Sequence, residues 1–338
     1  MRSILVVRYS ALGDVVLATS VIEPLRARFP AARIEWVTAP ALAPLLEGLP
    51  GIAAVHPLGG GLAGARALAR SLRGRFDLAI DLQNKIRSAL VARAAAPARI
   101  AFRRRTAMQA LRALLGRDPP LRGPPATVRY AEALAPLGIA APGPVRVALP
   151  AAARERAAAL LAGVPRPRVA VAPGASNATK RWPAERHAAV AAALARRGAA
   201  VVLAGGPRDR PALDAFTAAL AAAGAPPASA DLTTLPVPDL AAALAGVDLL
   251  VAGDSGPVHL ATAVGTPALA LFGPTSPERW GPPPPGRALS LSLECAPCSN
   301  HGGDRCPLGH HRCMQDLAAA TVIAAAEEML SGAAHRRG

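Results

Sequence analysis

"LLVAGDSGPVHLATAVGTPALALFGPT", residues 249–275, holds an apolar run ending on Asp254-Ser255-Gly256, then His259, then a second apolar run ending on Phe272-Gly273-Pro274-Thr275. A strand, a loop, a helix and another strand make the crossover unit of a parallel sheet. Pro257 suits the first helical position and Ser255 suits a cap. The free N–H groups that open such a helix, with the helix dipole behind them, suit an anionic ligand such as phosphate. A rival reading takes "GDSG" as the surround of a nucleophilic serine. On this architecture a hydrolase nucleophile occupies a Gly-x-Ser-x-Gly elbow, with the acid and then the histidine following it. Gly253-Asp254-Ser255-Gly256-Pro257 does not fit that elbow.

The same alternation runs along the whole chain. "SILVVRY", "RIEWVTA", "AVHPL", "LAIDLQ" and "RIAF" predict strands in the first half, with helices between them that include residues 15–29 and 62–73. Residues 140–168 turn Pro-rich on both sides of a helix and mark a boundary. A second series follows: "RVAVAPG", "AAVVLAGG", "SADLTT", "DLLVAGD", "PALALFG" and "LSLSLEC". The expected fold is α/β, two facing Rossmann-like domains with ligand loops at the carboxyl ends of their strands. The expected division is 1–160, 161–318, and a C-terminal helix and tail over 319–338 that packs back on the first domain.

Apolar residues make up 52% and charged residues 18% of the 338, which places the chain among globular proteins and not disordered ones. Arg, Gly or Pro interrupts each apolar run before the ~20 residues that a spanning helix needs. The opening "MRSILVVRYSALGD" reads as a strand and not as a secretory signal, so the expected compartment is the cytoplasm. The net charge of +16 comes almost entirely from arginine; the lysines are Lys85 and Lys180. Such a surface serves nucleic acid, an acidic membrane face or a phosphorylated substrate, and it also follows from G+C-rich coding with solvated arginines. No zinc finger, basic helix or aromatic-studded basic strand supports a nucleic-acid partner. Residues 99–117, "RIAFRRRTAMQALRALLGR", set a basic cluster beside an apolar helix face, which is either a solvated face or a dock for anionic lipid.

Two further loops repeat the opening pattern. In "VVRYSALGDVVLATSVI" a strand runs through Ser10 to Asp14 and a helix begins at once. Asp14 reads as an N-cap, or as a general base at the carboxyl end of a strand. In "VAVAPGASNATKRWPAERHAAVAAAL" the loop carries Ser176 and Lys180 before Trp182-Pro183 opens the next helix. That loop is either a phosphate pocket or a turn with an exposed lysine. Neither domain's first loop is Gly-x-Gly-x-x-Gly, which argues against a nicotinamide dinucleotide. Lys85 and Arg87 in "DLQNKIRS" follow another strand. The four cysteines, Cys295, Cys298, Cys306 and Cys313, lie in "CAPCSNHGGDRCPLGHHRC" and leave three readings open: a structural metal, disulfides, or free thiols in an irregular loop.

"ILVVRYSALGDVVLATSVIEPLRARFPAARI", "LAIDLQNKIRSALVAR", "PGASNATKRWPAERHAAVA", "VAGDSGPVHLATAVGTPALALFGPTSPERWGP" and "CPLGHHRCMQDL" resemble, in that order, the lipopolysaccharide heptosyltransferases of glycosyltransferase family 9. The resemblance implies a GT-B fold and an inverting, metal-independent transfer of heptose from ADP-heptose, with no cofactor. The implied acceptor is the lipid A–Kdo/heptose inner core, at the inner face of the cytoplasmic membrane, where the protein is peripheral and meets anionic lipid. By motif, Asp14 falls at the family's general base and Lys180 at the lysine that neutralises the donor diphosphate. Ser176 falls at a phosphate-contacting hydroxyl, and Asp254, Ser255, Gly256 and His259 at the segment that holds sugar and diphosphate. Ser10, beside the base, is a contact on the phosphate or acceptor side. Lys85 and Arg87 are expected on the acceptor, and Asp209 in "VVLAGGPRDRPAL" stands near the family's ribose-contacting acid. Alternative readings are a family 9-like enzyme with another nucleotide sugar or glycan acceptor, a nucleotide-sugar epimerase on the same fold, and a non-catalytic module that has kept the scaffold.

Overall fold

The β-branched runs build two all-parallel sheets in the computed structural model, which describes residues 1–102 and 121–335. Among these residues the chain divides into two units, Met1–Pro120 with Pro124–Pro150, and Ala151–Gly338 with Leu121–Gly123. The basic stretch 103–117 lies outside the described residues.

The first unit carries β1 (Ser3–Val7), β2 (Arg33–Thr38), β3 (Ala54–Pro57), β4 (Leu78–Asp81) and β5 (Ala98–Ala101), in the order β3-β2-β1-β4-β5. Each pair is parallel, β1 with β2 and β4, β2 with β3, and β4 with β5. A parallel sheet has helices on both faces, so its central strand is apolar throughout. Ile4, Leu5, Val6 and Val7 are all fully buried. The covering helix Gly61–Ser71 turns Ala65 and Ala69 inward and leaves Arg66 and Arg70 in solvent, as a one-sided helix must.

The second unit carries β6 (Arg168–Ala172), β7 (Ala200–Leu203), β8 (Ala230–Asp231), β9 (Leu249–Gly253), β10 (Ala268–Phe272) and β11 (Arg287–Ser290), in the order β11-β10-β9-β6-β7-β8. All of its pairs are parallel too. The helix Ala151–Leu160 is fastened to Val237–Ala245 by a two-bonded pair, Arg156 to Asp239 at 2.6 and 2.8 Å. The C-terminal helix Ala319–His335 packs on Ala184–Arg196 and β9 within this unit.

Two boundaries differ from the sequence reading. The helix expected at 15–29 is two, Leu12–Ala18 and Ile22–Arg28, joined by a tighter turn over Thr19–Val21. "LSLSLEC" pairs only up to Ser290, because β10 turns away after Phe272 and leaves the remaining residues no ladder partner. The stretch after His311 forms a short helix, Arg312–Gln315, before the long one begins at Ala319. Among the described residues no helix is long and apolar enough to cross a membrane.

His187 sits fully buried in the helix Ala184–Arg196, edge-on to Trp182 at 4.8 Å, and neither ring nitrogen has a hydrogen-bond partner. Burial lowers it from 6.5 to about 3. Below pH 6.5 the unfolded chain therefore takes up a proton that the folded chain refuses. That stability is complete above this value and drains by about 1.4 kcal/mol per pH unit on the way down towards the folded value. His187→Leu is expected to flatten the acid slope and to leave the neutral-pH midpoint unchanged or higher. Urea titrations at about pH 7 and about pH 5 check it.

Candidate functional site

In each sheet the strand order reverses beside the first strand, between β1 and β4 and between β6 and β9. Loops that leave two such neighbours part to opposite faces and open a crevice at their carboxyl ends. Ser10, Lys85, Ser176, Lys180, Asp254 and Ser255 fall on these loops, Asp14, Arg87, Gly256 and His259 in the helices that follow them, and Asp209 after β7.

In the first unit the two loops are tied together. The backbone N–H groups of Tyr9 and Ser10 donate to Gln83 Oε1 at 3.3 and 3.2 Å, and Gln83 Nε2 donates to Ser10 Oγ at 3.3 Å. Buried Asp81 accepts from the N–H groups of Gln83 and Asn84 and pairs with Arg99 at 2.7 Å. Asn84 takes a left-handed φ of 46°, which asparagine tolerates, and the chain then reaches exposed Lys85. Arg87 lies over the Tyr9 ring at 5.0 Å.

Asp14 is not the cap of its helix: it lies in the first turn of Leu12–Ala18, and the N-cap is Ala11. Its carboxylate is held from two sides. Arg8 Nη2 meets Oδ2 at 2.7 Å, and Tyr130, from the helix Ala126–Glu132, donates its hydroxyl to Oδ1 at 2.9 Å. Arg8 is itself fixed by a 2.6 Å bond to the carbonyl of Leu82. Burial first, and then the Asp14 charge, push the Tyr130 phenol well above 10, so it stays a donor at neutral pH. Each carboxylate oxygen keeps a lone pair, and the side chain is 18% exposed, so it can still accept from an incoming hydroxyl.

In the second unit Lys180 Nζ pairs with Asp254 Oδ2 at 3.0 Å, and Thr275 Oγ1 donates to the same oxygen at 2.7 Å. The two charged side chains are only 10% and 8% exposed, so solvent screens the pair weakly. Ser255 stands at the N-cap of Gly256–Ala263, but its hydroxyl makes no cap bond; it is buried without a partner. The expected cap is thus an unused polar group next to a helix start, where a ligand oxygen would satisfy it. His259 is buried one turn into that helix. Ser176 is exposed on the loop after β6. Asp209 accepts from the N–H of Gly206 and packs on Gly174, where a Cβ would fall 2.2 Å from the Asp209 Cγ. Only glycine lets the two loops approach so closely.

All four cysteines are free thiols. Among the described residues no three His, Cys, Asp or Glu side chains are grouped so as to hold a metal ion. Burial pushes Cys313 up to about 11 and Cys298 upward as well, whereas backbone N–H groups, that of His311 foremost, lower Cys306.

Sequence reasoning missed Arg8, Gln83, Tyr130 and the role of Thr275. Arg8 carried a signal, a lone charge at the end of an apolar strand. Tyr130 carried none, since it meets Asp14 across 116 positions of chain.

The model of glycosyltransferase family 9 (heptosyltransferase) matches residues 65–307, which include Lys180, Asp254 and His259. Lipopolysaccharide heptosyltransferase 2 of Escherichia coli K12 is 30% identical over 341 residues, 95% of this chain and 96% of that one. Lipooligosaccharide heptosyltransferase 2 of Campylobacter jejuni is 37% identical over a stretch of 89 residues, and the chain spans 27% of that relative's length there. The solved structure of E. coli ADP-heptose lps heptosyltransferase II superimposes with a TM-score of 0.73, at 24% identity, over 98% of this chain and 99% of that one. That likeness shows the fold, GT-B, with its two Rossmann-like sheets. The extent of the family match, with near-complete coverage of the E. coli relative, establishes that the chain belongs to glycosyltransferase family 9, the heptosyltransferases.

Proposed function

We propose that the protein transfers heptose from ADP-heptose to the inner core of lipopolysaccharide, a lipid A–Kdo or heptose acceptor, with inversion and without a metal. The observation that carries this reading is the Lys180–Asp254 pair at 3.0 Å beside the unpartnered Ser255 hydroxyl at a helix start. Sugar transfer from a nucleoside diphosphate needs positive charge and fixed donors where the diphosphate departs. Lys180 has three N–H donors, of which Asp254 takes one, so two remain for phosphate oxygens. Gly256, Ser255 and exposed Ser176 line the same loops and add neutral donors. Asp254 Oδ1, which takes neither the Lys180 nor the Thr275 bond, accepts from a hydroxyl of the sugar, and His259 supports that segment from one turn below. Asp209 faces the ribose.

Asp14 is the base. It removes the proton from the acceptor hydroxyl as that oxygen attacks the anomeric carbon, and the bond from that carbon to the diphosphate breaks. Ser10 contacts the acceptor side, and Lys85 and Arg87 bind acidic groups of the acceptor. In this reading the first unit serves the acceptor and the second the donor, and the protein works in the cytoplasm against the anionic inner face of the membrane. The names of the similar proteins support heptose as the sugar: the solved E. coli protein is called an ADP-heptose lps heptosyltransferase.

Purified protein incubated with ADP-heptose and a lipid A–Kdo acceptor is expected to release ADP and to add one heptose mass to the acceptor. Absence of transfer with every heptose donor and core acceptor, together with transfer from another nucleotide sugar, would replace this reading by the broader one of a family 9 enzyme with a different donor.

A further inference from the structure

We infer that the cysteine-flanked turn at residues 299–311 is a brace for the Lys180 side chain, and that Thr179, Gly302 and His311 are positioning residues for that lysine. The inference rests on the reading of Lys180 as the cation that meets the donor diphosphate.

The contacts converge on one residue from several directions. Thr179, immediately before Lys180 and 5% exposed, makes three bonds to Gly303. Its hydroxyl donates to the Gly303 carbonyl at 2.9 Å and accepts from the Gly303 N–H at 2.8 Å, and its own N–H donates to the same carbonyl at 3.0 Å. His311 Nε2 donates to the Thr179 carbonyl at 2.7 Å, so the peptide unit that leads into Lys180 is gripped on its oxygen. Asn177 Nδ2 donates to the carbonyl of His301. The turn holds its own shape through Ser299, whose hydroxyl accepts from the N–H groups of His301 and Gly302 at 3.2 and 2.9 Å. Gly302 has φ +80°, and a Cβ there would lie 2.8 Å from Lys180 Cγ and 2.9 Å from its Cδ. The lysine stem runs in the space that the missing side chain leaves.

The other end of the segment is fastened to the partner side of the charge pair. The N–H groups of Cys298 and Ser299 donate to the carbonyl of Pro274, at 2.9 and 2.8 Å. Pro274 precedes Thr275, which holds Asp254. One short segment therefore ties the backbone on both sides of the Lys180–Asp254 pair. A long aliphatic stem loses rotamer freedom when its ammonium must sit at one point, and a prebuilt channel removes that cost from ligand binding. The cysteine-rich motif gains a role here that needs neither a metal nor a disulfide.

The test measures the affinity of the full-length chain for ADP by titration calorimetry, with thermal unfolding alongside. The variants are Thr179→Val, Thr179→Ser, Gly302→Ala and Lys180→Gln, and the first and third are each also combined with Lys180→Gln. Thr179→Val is expected to weaken ADP binding about 3- to 10-fold, the effect of losing one or two hydrogen bonds that hold a binding group. Thr179→Ser keeps the hydroxyl and is expected to restore the affinity. Gly302→Ala pushes on the stem itself and is expected to weaken ADP binding as well; it decides the matter if Thr179→Val does not fold. In the Lys180→Gln background neither substitution is expected to weaken ADP further, because the group they position is gone. The same loss in both backgrounds, or no loss in either, would overturn the brace. If Lys180→Gln binds ADP as the wild type does, the diphosphate reading of Lys180 fails and the brace falls with it.

Discussion

Asp14→Asn is expected to lower kcat by about 10²- to 10⁴-fold, the range that a positioned general base contributes. Its effect on ADP affinity should be small, because the proposed reading assigns donor binding to the second unit. The substitution is close to isosteric, and its consequence for the fold can be read from the contacts. The oxygen of the introduced amide can accept from Tyr130 as Oδ1 does, at 2.9 Å in the wild type. Opposite Arg8 the amide presents N–H to N–H, so a 2.7 Å ion pair becomes a contact between donors. Arg8 keeps its bond to the Leu82 carbonyl, so the guanidinium is not stranded. A loss of about 1–3 kcal/mol of stability is the scale for removing a charged partner from such a contact. The decisive measurement is therefore kcat at a temperature well below the variant's unfolding midpoint. Retention of more than about a tenth of wild-type kcat there would take the base role away from Asp14 and leave the donor assignments untouched.

Both sheets were legible because parallel strands are buried on both faces and read as uninterrupted apolar runs. The loops were legible because their glycines, prolines and hydroxyls punctuate those runs at equivalent places. What stayed hidden depends on pairings that local pattern cannot carry. Tyr130 reaches Asp14 from a helix 116 positions away, and its own neighbourhood, "ATVRYAE", looks like any amphipathic turn. Thr275 was visible as part of a tight turn after β10, but its bond to Asp254 spans two strands. Ser255 misled in the other direction. Serine before Gly-Pro at a helix start predicts a cap, yet its hydroxyl is held unpaired. Local propensity and the observed geometry part company at the residue assigned to ligand, which is where such conflicts are expected. The cysteines show the same limit: spacing alone kept metal, disulfide and free thiol open, and the tertiary contacts of residues 299–311 gave the segment its place.

Lys180→Gln is expected to reduce kcat by about 10²- to 10³-fold, as the loss of one preorganised group facing developing charge does. ADP affinity should fall with it, because the diphosphate is present in donor and product alike. Stability is the complication. Removing one member of a buried ion pair leaves the other charge uncompensated, and a fully buried case costs about 3–5 kcal/mol. Here both side chains retain some exposure, 10% and 8%, and Thr275 still donates to the remaining carboxylate, so the cost should lie below that range. Glutamine can also offer an N–H towards Asp254 where alanine would offer nothing. The double variant Lys180→Gln/Asp254→Asn removes both charges at once and leaves neutral groups that can hydrogen-bond each other. It is expected to recover most of the lost unfolding midpoint and none of the lost kcat. Recovery of activity along with stability would mean that Lys180 serves only to neutralise Asp254, and the positive charge that the departing diphosphate requires would then have to come from one of the arginines.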